Sequence, residues 1–189
     1  MIFSLFRRGA RPHTISTLYG TIVAQARLPC FYREYGVADT VNGRFELLVL
    51  HLAMVLDRTA EDRQLQKLGQ ALFDRFCQDM DHNLREMGVG DLAVPKEMQR
   101  MGEAFYGRAQ AYRTAIAAAD GETLANVVLR NIYDGASQVP AAPRRFADYI
   151  RCVARDLKAQ PSGGFLSGEI HMPDPVAVIV KDKAGSVEV

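Results

Sequence analysis

Between Phe73 and Tyr112 the chain reads FDRFCQDMDHNLREMGVGDLAVPKEMQRMGEAFYGRAQAY, and it places Asp79, Asp81, His82 and Glu86 within a single short stretch. Carboxylates and an imidazole this close together are ligand types for iron, manganese or zinc. On a helix turning by about 100° per residue, however, Asp79, His82 and Glu86 share one face while Phe76, Met80, Leu84 and Met87 share the opposite one. The acidic face then looks away from a core. Bundles that hold two metal ions project Glu-x-x-His pairs inward from two helices, and no Glu-x-x-His occurs in this chain. A solvated recognition face is the favoured reading. A small helical metalloenzyme or metal-binding protein built on Asp79, Asp81, His82 and Glu86 is the alternative.

Other chemistries find less support. The run Gly88-Val89-Gly90-Asp91 follows a helix C-terminus, where the dipole is negative, and it lacks the Lys and Ser/Thr of a phosphate loop. Gly88 and Gly90 are expected to supply positive φ in a tight reversal, with Asp91 satisfied by backbone N–H groups of that turn. There is no Gly-x-Ser-x-Gly elbow, and His13, His51, His82 and His171 are scattered. Neither catalysis nor a cofactor is expected. His51 reads as a satisfied core or boundary histidine, Cys77 and Cys152 as buried inert thiols, and Cys30, after Pro29, is left open.

These side chains need helices to position them. Ile15, Leu18, Tyr19, Ile22, Val23 and Ala26 recur at helical spacing after a possible Thr14 cap, and Pro29 ends the run. Asp39 and Thr40 cap a second helix, apolar on nearly every side from Leu47 to Leu56, which belongs at the centre of a bundle. A third runs from about Glu61 to Met87 and stops at Gly88. Pro95 opens the fourth, lined by Met98, Met101, Phe105, Ala109, Tyr112 and Ile116, antiparallel to the third. A fifth follows Gly121 and a sixth follows the break at Pro140 to Pro143. The predicted fold is all-α, a single bundle of about six helices over residues 14–160. An N-terminal arm precedes it at 1–13, and an irregular Gly/Pro-rich tail at 161–189 contains only Val176 to Val180 with the β-branched density of a strand.

Composition sets the outer bounds. In 189 residues, 23 Lys and Arg face 22 Asp and Glu, so no global field draws the chain to nucleic acid, and DNA is not an expected partner. Three cysteines without a CxxC pair indicate a reducing compartment. The opening MIFSLFRRGARPHT puts apolar residues before basic ones, the reverse of a secretory signal. It suits either contact with an anionic membrane surface or an arm packed on its own domain. Arg144, Arg145, Arg151, Arg155 and Lys158 mark the sixth helix as a solvated face or a patch for acidic lipid or ribosomal RNA.

Two blocks, FYREYGVADTVNGRFELLVLHLAMVLDR at Phe31 to Arg58 and DMDHNLREMGVGD with the later FYGRAQAY, resemble the ubiquinol-cytochrome c chaperone family over roughly Phe31 to Tyr112. The resemblance implies a helical assembly factor without an enzymatic cofactor. Such a factor holds newly made cytochrome b on its way into the bc1 complex, in eukaryotes with a small partner protein at the mitochondrial ribosome. A charged outer face ending in a rigid glycine turn fits such a role as a docking surface, and the expected partner face is Asp79, Asp81, His82, Arg85, Glu86, Gly90 and Asp91, joined by Arg108 and Tyr112 from the neighbouring helix. Asp81 and Arg85 instead have an equal claim to holding the third and fourth helices together. The start of the chain, without an Arg- and Ser-rich transit segment, suggests a bacterial protein peripheral to the inner face of the cytoplasmic membrane.

Overall fold

The structure is a computed structural model that describes residues 12–118 and 120–179. Except for Pro12 and His13, the expected N-terminal arm lies outside the described residues. The elements are α1 (Pro12–Ala26), α2 (Cys30–Arg33), α3 (Val41–Ala60), α4 (Gln66–Glu86), α5 (Val94–Ala117), α6 (Gly121–Ile132), α7 (Ala142–Ala159) and α8 (Ser162–Ser167). The described residues include no strand. The six anticipated helices are present, and α2 and α8 are short additions.

α3 is the axis of the molecule. Thr40 caps its start, the side-chain oxygen accepting from the Gly43 N–H at 3.1 Å. Every residue from Glu46 to Val55 is buried, because α1, α4, α5, α6 and α7 all pack against this helix. Those five also pack on one another in that order, forming an open ring around α3.

The seam of the ring, between α7 and α1, is filled by the C-terminal stretch. α8 packs on α1, and Phe165, Ile170 and Ile179 are buried in the common core. Gln25 Nε2 donates to the Pro173 carbonyl at 2.9 Å, and Tyr35 Oη to the Pro175 carbonyl at 2.8 Å. The backbone after Gly168 is irregular as far as Asp174, yet its polar groups and apolar side chains are tied into the bundle.

A polar chain crosses the core at the same place. His51 is fully buried; its Nδ1 lies 2.7 Å from the Leu47 carbonyl and its Nε2 2.8 Å from Tyr149 Oη. A carbonyl only accepts, so Nδ1 carries the proton and Nε2 accepts from Tyr149, which in turn accepts from Gln25 Nε2 at 2.9 Å. Each group is satisfied with a neutral imidazole, and burial pushes the His51 pKa down to about 4. His51 is thus the satisfied core histidine that its place on the central helix suggested. The Phe31 and Tyr149 rings lie against it at 5.4 and 5.8 Å, and Phe31 in turn stacks on Phe146 at 5.5 Å.

Three local expectations are corrected. Thr14 does not cap α1; it is buried inside a helix that already includes Pro12, a residue tolerated in a first turn. The helix expected from Glu61 begins at Gln66, since Asp62 forms a turn with the Gln64 N–H (2.8 Å) and is held from outside by the Ser162 hydroxyl. Residues 175–179, read as strand-like, are helical. There Asp174 accepts from the Val176 N–H at 2.9 Å and Pro175 follows as the first helical residue, a start signal that outweighs β-branching.

Candidate functional site

α4 ends in a double-bonded cap. The Gly88 N–H donates to Arg85 O and the Val89 N–H to Leu84 O, both at 3.0 Å, with Gly88 at φ +82°. Gly90 does not adopt positive φ; its carbonyl instead accepts from Ala93 at 2.8 Å as α5 begins. Asp91 is satisfied by Arg85 rather than by backbone N–H groups, and Arg85 also donates to Asp81 at 2.8 Å. The Arg85 bond holds the Asp81 carboxyl below its ordinary range. Asp81, Arg85 and Asp91 therefore clamp the α4 end to the loop that leaves it. Beside them His82 and Glu86 pair at 3.2 Å, both exposed.

Three residues expected on this face are drawn elsewhere. Asp79 accepts from Tyr19 Oη at 2.9 Å, and Arg75, 3.7 Å from Asp79, also lies over the Tyr19 ring, so the three join α4 to α1. Arg108 forms a two-pronged ion pair with Glu46 of α3, whose side chain is 1% exposed. Burial pushes the Glu46 carboxyl up while Arg108 pulls it back down. Tyr112 is buried at 1% exposure and reaches no partner surface. The cause is helix pairing: α5 runs back along α4, so Phe105 and Tyr106 lie against Phe73, and residues further along α5 leave the corner behind.

The corner borders a groove that extends beyond the motifs carrying the candidate residues. At one end of the bundle, α1, α3, α4 and α5 leave an opening of about 710 Å³ between them. Its apolar walls include Val23, Val41, Phe45, Met80, Met87 and Met101, and Arg27, Arg44 and Glu86 stand among them. Val41 is 72% exposed and Met87 61%, and on the adjoining loop Leu92 is almost wholly exposed. Met87 was expected in the inner stripe of its helix; the cap ends α4 before that position is covered. One signal points here: three of the seven methionines, at 80, 87 and 101, line the groove. Flexible, polarizable thioethers concentrated on an open apolar surface suit contact with apolar partners of varied shape.

The remaining candidates resolve into structural roles. Among the described residues no three His, Cys, Asp or Glu side chains come together as metal ligands, since Asp79, Asp81 and the His82–Glu86 pair turn to different neighbours. Burial pushes the Cys30 and Cys77 thiols up, away from the nucleophilic thiolate. The basic stripe of α7 ties helices together: Arg144 pairs with Glu122, Arg151 donates to Asp120 O at 2.7 Å, and Lys158 stands 3.6 Å from Glu61. No helix of the described residues is long and apolar enough to cross a membrane.

Comparison with known proteins extends the likeness beyond the blocks that first carried it. A family model described as ubiquinol-cytochrome C chaperone matches residues 33–172. The crystal structure of a Cbp3 homolog from Brucella abortus superposes with a TM-score of 0.82 at 37% identity, covering 93% of this chain and 98% of that one. The ubiquinol-cytochrome-c reductase complex assembly factor 1 of Xenopus laevis is 24% identical over 122 residues, and that of Mus musculus 24% over 135. Those alignments take in 64% and 71% of this chain, but they span only 60% and 45% of the lengths of the two relatives.

Proposed function

We propose that this chain, which belongs to the ubiquinol-cytochrome C chaperone family, is an assembly factor of the bc1 complex that binds newly made cytochrome b. The relatives in frog and mouse bear the name of reductase complex assembly factors, which supports the assembly role. The observation that carries the binding role is the methionine-rich groove at the end of the bundle, open to solvent beside a rigid ionic corner. Apolar surface of that kind is costly to leave uncovered and suits a client with apolar segments of its own. His82, Arg85, Glu86, Gly90 and Asp91 form the polar margin of the proposed face, while Asp79, Arg108 and Tyr112 hold the helices of the bundle to one another away from it. With no membrane-crossing helix among its described residues, the chain meets its client as a peripheral protein at the inner face of the cytoplasmic membrane.

The test is genetic. Deleting the gene lowers assembled bc1 complex on native gels and lowers ubiquinol–cytochrome c reductase activity, with cytochrome b mRNA unchanged. Wild-type protein restores both, and the groove variant Val41→Asp/Met87→Asp does not. Normal bc1 levels in the deletion strain would sink the proposal.

A further inference from the structure

The groove is too small for a whole membrane span. A helix of about 20 residues is a cylinder roughly 30 Å long. The groove walls run only from Val41 to Leu48 along α3 and from Met80 to Met87 along α4, about 11 Å each at a rise of about 1.5 Å per residue, roughly a third of that length. Whatever docks there presents one end, or one face of two or three turns, and leaves the rest outside.

The charges in the walls select which end. Glu86 is held by His82 at 3.2 Å and Arg44 is ion-paired to Asp39 at 2.7 Å, so both already have a partner. Arg27, exposed just past the end of α1, has no ion pair among the described residues. It lines the same groove as Val23, Phe45, Met80 and Met87. A guanidinium next to an apolar trough is complementary to an apolar run that ends in a carboxylate.

We infer that the groove seats the membrane-exit end of a client helix: two or three apolar turns against Val41, Phe45, Met80, Met87 and Met101, followed by an Asp or Glu on Arg27. This rests on the reading of the chain as a chaperone for an apolar membrane client, and it names the part of the client that is held. The contact is of the helix-in-groove kind, with anchors three and four residues apart. Its consequence is that the span itself stays free to enter the bilayer while its end is still bound.

The test uses the full-length protein and fluorescent 15-residue peptides tiled along cytochrome b of the source organism, read by anisotropy. Binding is confined to peptides that join an apolar run to an acidic residue. Arg27→Glu weakens it by about tenfold or more, and changing the peptide's acid to lysine restores binding to that variant. Met87→Ser also weakens binding, and because Met87 is exposed, its melting curve stays at wild type. Equal affinity for acidic and charge-swapped peptides, or no effect of Arg27→Glu and Met87→Ser, would overturn the inference. So would variants that change self-association of the protein rather than peptide binding, since the occupant would then be a second copy. The chaperone reading fails separately, if wild-type protein captures no cytochrome b from mildly solubilised membranes.

Discussion

At the scale of single residues, the buried ionisable groups make the sharpest predictions. His51 titrates with a depressed pKa near 4 when folded and near 6.5 when unfolded. A depressed pKa means the unfolded chain binds the extra proton, so the stability is complete above pH 6.5 and drains away as pH falls towards 4. The loss is about 3 kcal/mol across that window. Urea midpoints at pH 7.5 and 4.5 will reveal it, and His51→Gln should flatten the difference while lowering stability at neutral pH. Glu46 and Arg108 behave as a unit. Arg108→Ala leaves a buried carboxylate without its cation and should cost about 3–5 kcal/mol. With its pKa pushed further up, that variant should gain stability as pH falls towards the carboxylate range, and Glu46→Leu/Arg108→Met should recover much of the loss. A double variant no more stable than Arg108→Ala would contradict this account.

At the scale of helices and their ends, two glycines separate steric from conformational constraint. A Cβ on Gly43 would sit 2.1 Å from the Ala38 carbonyl, which is backbone and cannot yield. Gly43→Ala should therefore cost on the order of 4 kcal/mol. Gly88 has open space around it but φ +82°, so Gly88→Ala should cost about 1 kcal/mol. Chemical denaturation distinguishes the two, and equal costs would show that the α3 entry relaxes. The same elements explain what could be read from the sequence. Caps, stops and apolar stripes depend on neighbours in the chain, so Thr40, Gly88 and the central place of α3 were legible. Pairings such as Arg108 with Glu46, 62 positions apart, depend on how helices are stacked. The short-range pattern holds no trace of them, so Arg108 and Tyr112 read as neighbours of the corner although packing draws them to Glu46 and into the core. The groove was missed for a related reason: an apolar stripe announces burial, and only the finished packing reveals where a stripe is left uncovered.

At the scale of the whole molecule, the ring around α3 is complete only with its C-terminal stretch in place. Removing residues 161–189 would uncover Tyr35, take the Pro173 acceptor from Gln25, and open the seam beside α1. Such a protein should keep most of its far-ultraviolet helical signal, lose a sharp thermal transition and bind anilinonaphthalene sulfonate. A truncated chain that still melts cooperatively near the full-length temperature would show that the seam is dispensable.

That closure also sets an order of events during synthesis. Gln25 leaves the ribosome early, and Pro173, its partner across the seam, follows 148 residues later. At about 5–20 residues per second the wait is on the order of ten seconds. Throughout that interval α1 and the core face of α3 have helical pattern but no finished place to bury it. A protein proposed to shelter another chain in mid-assembly thus passes through a vulnerable half-made state of its own.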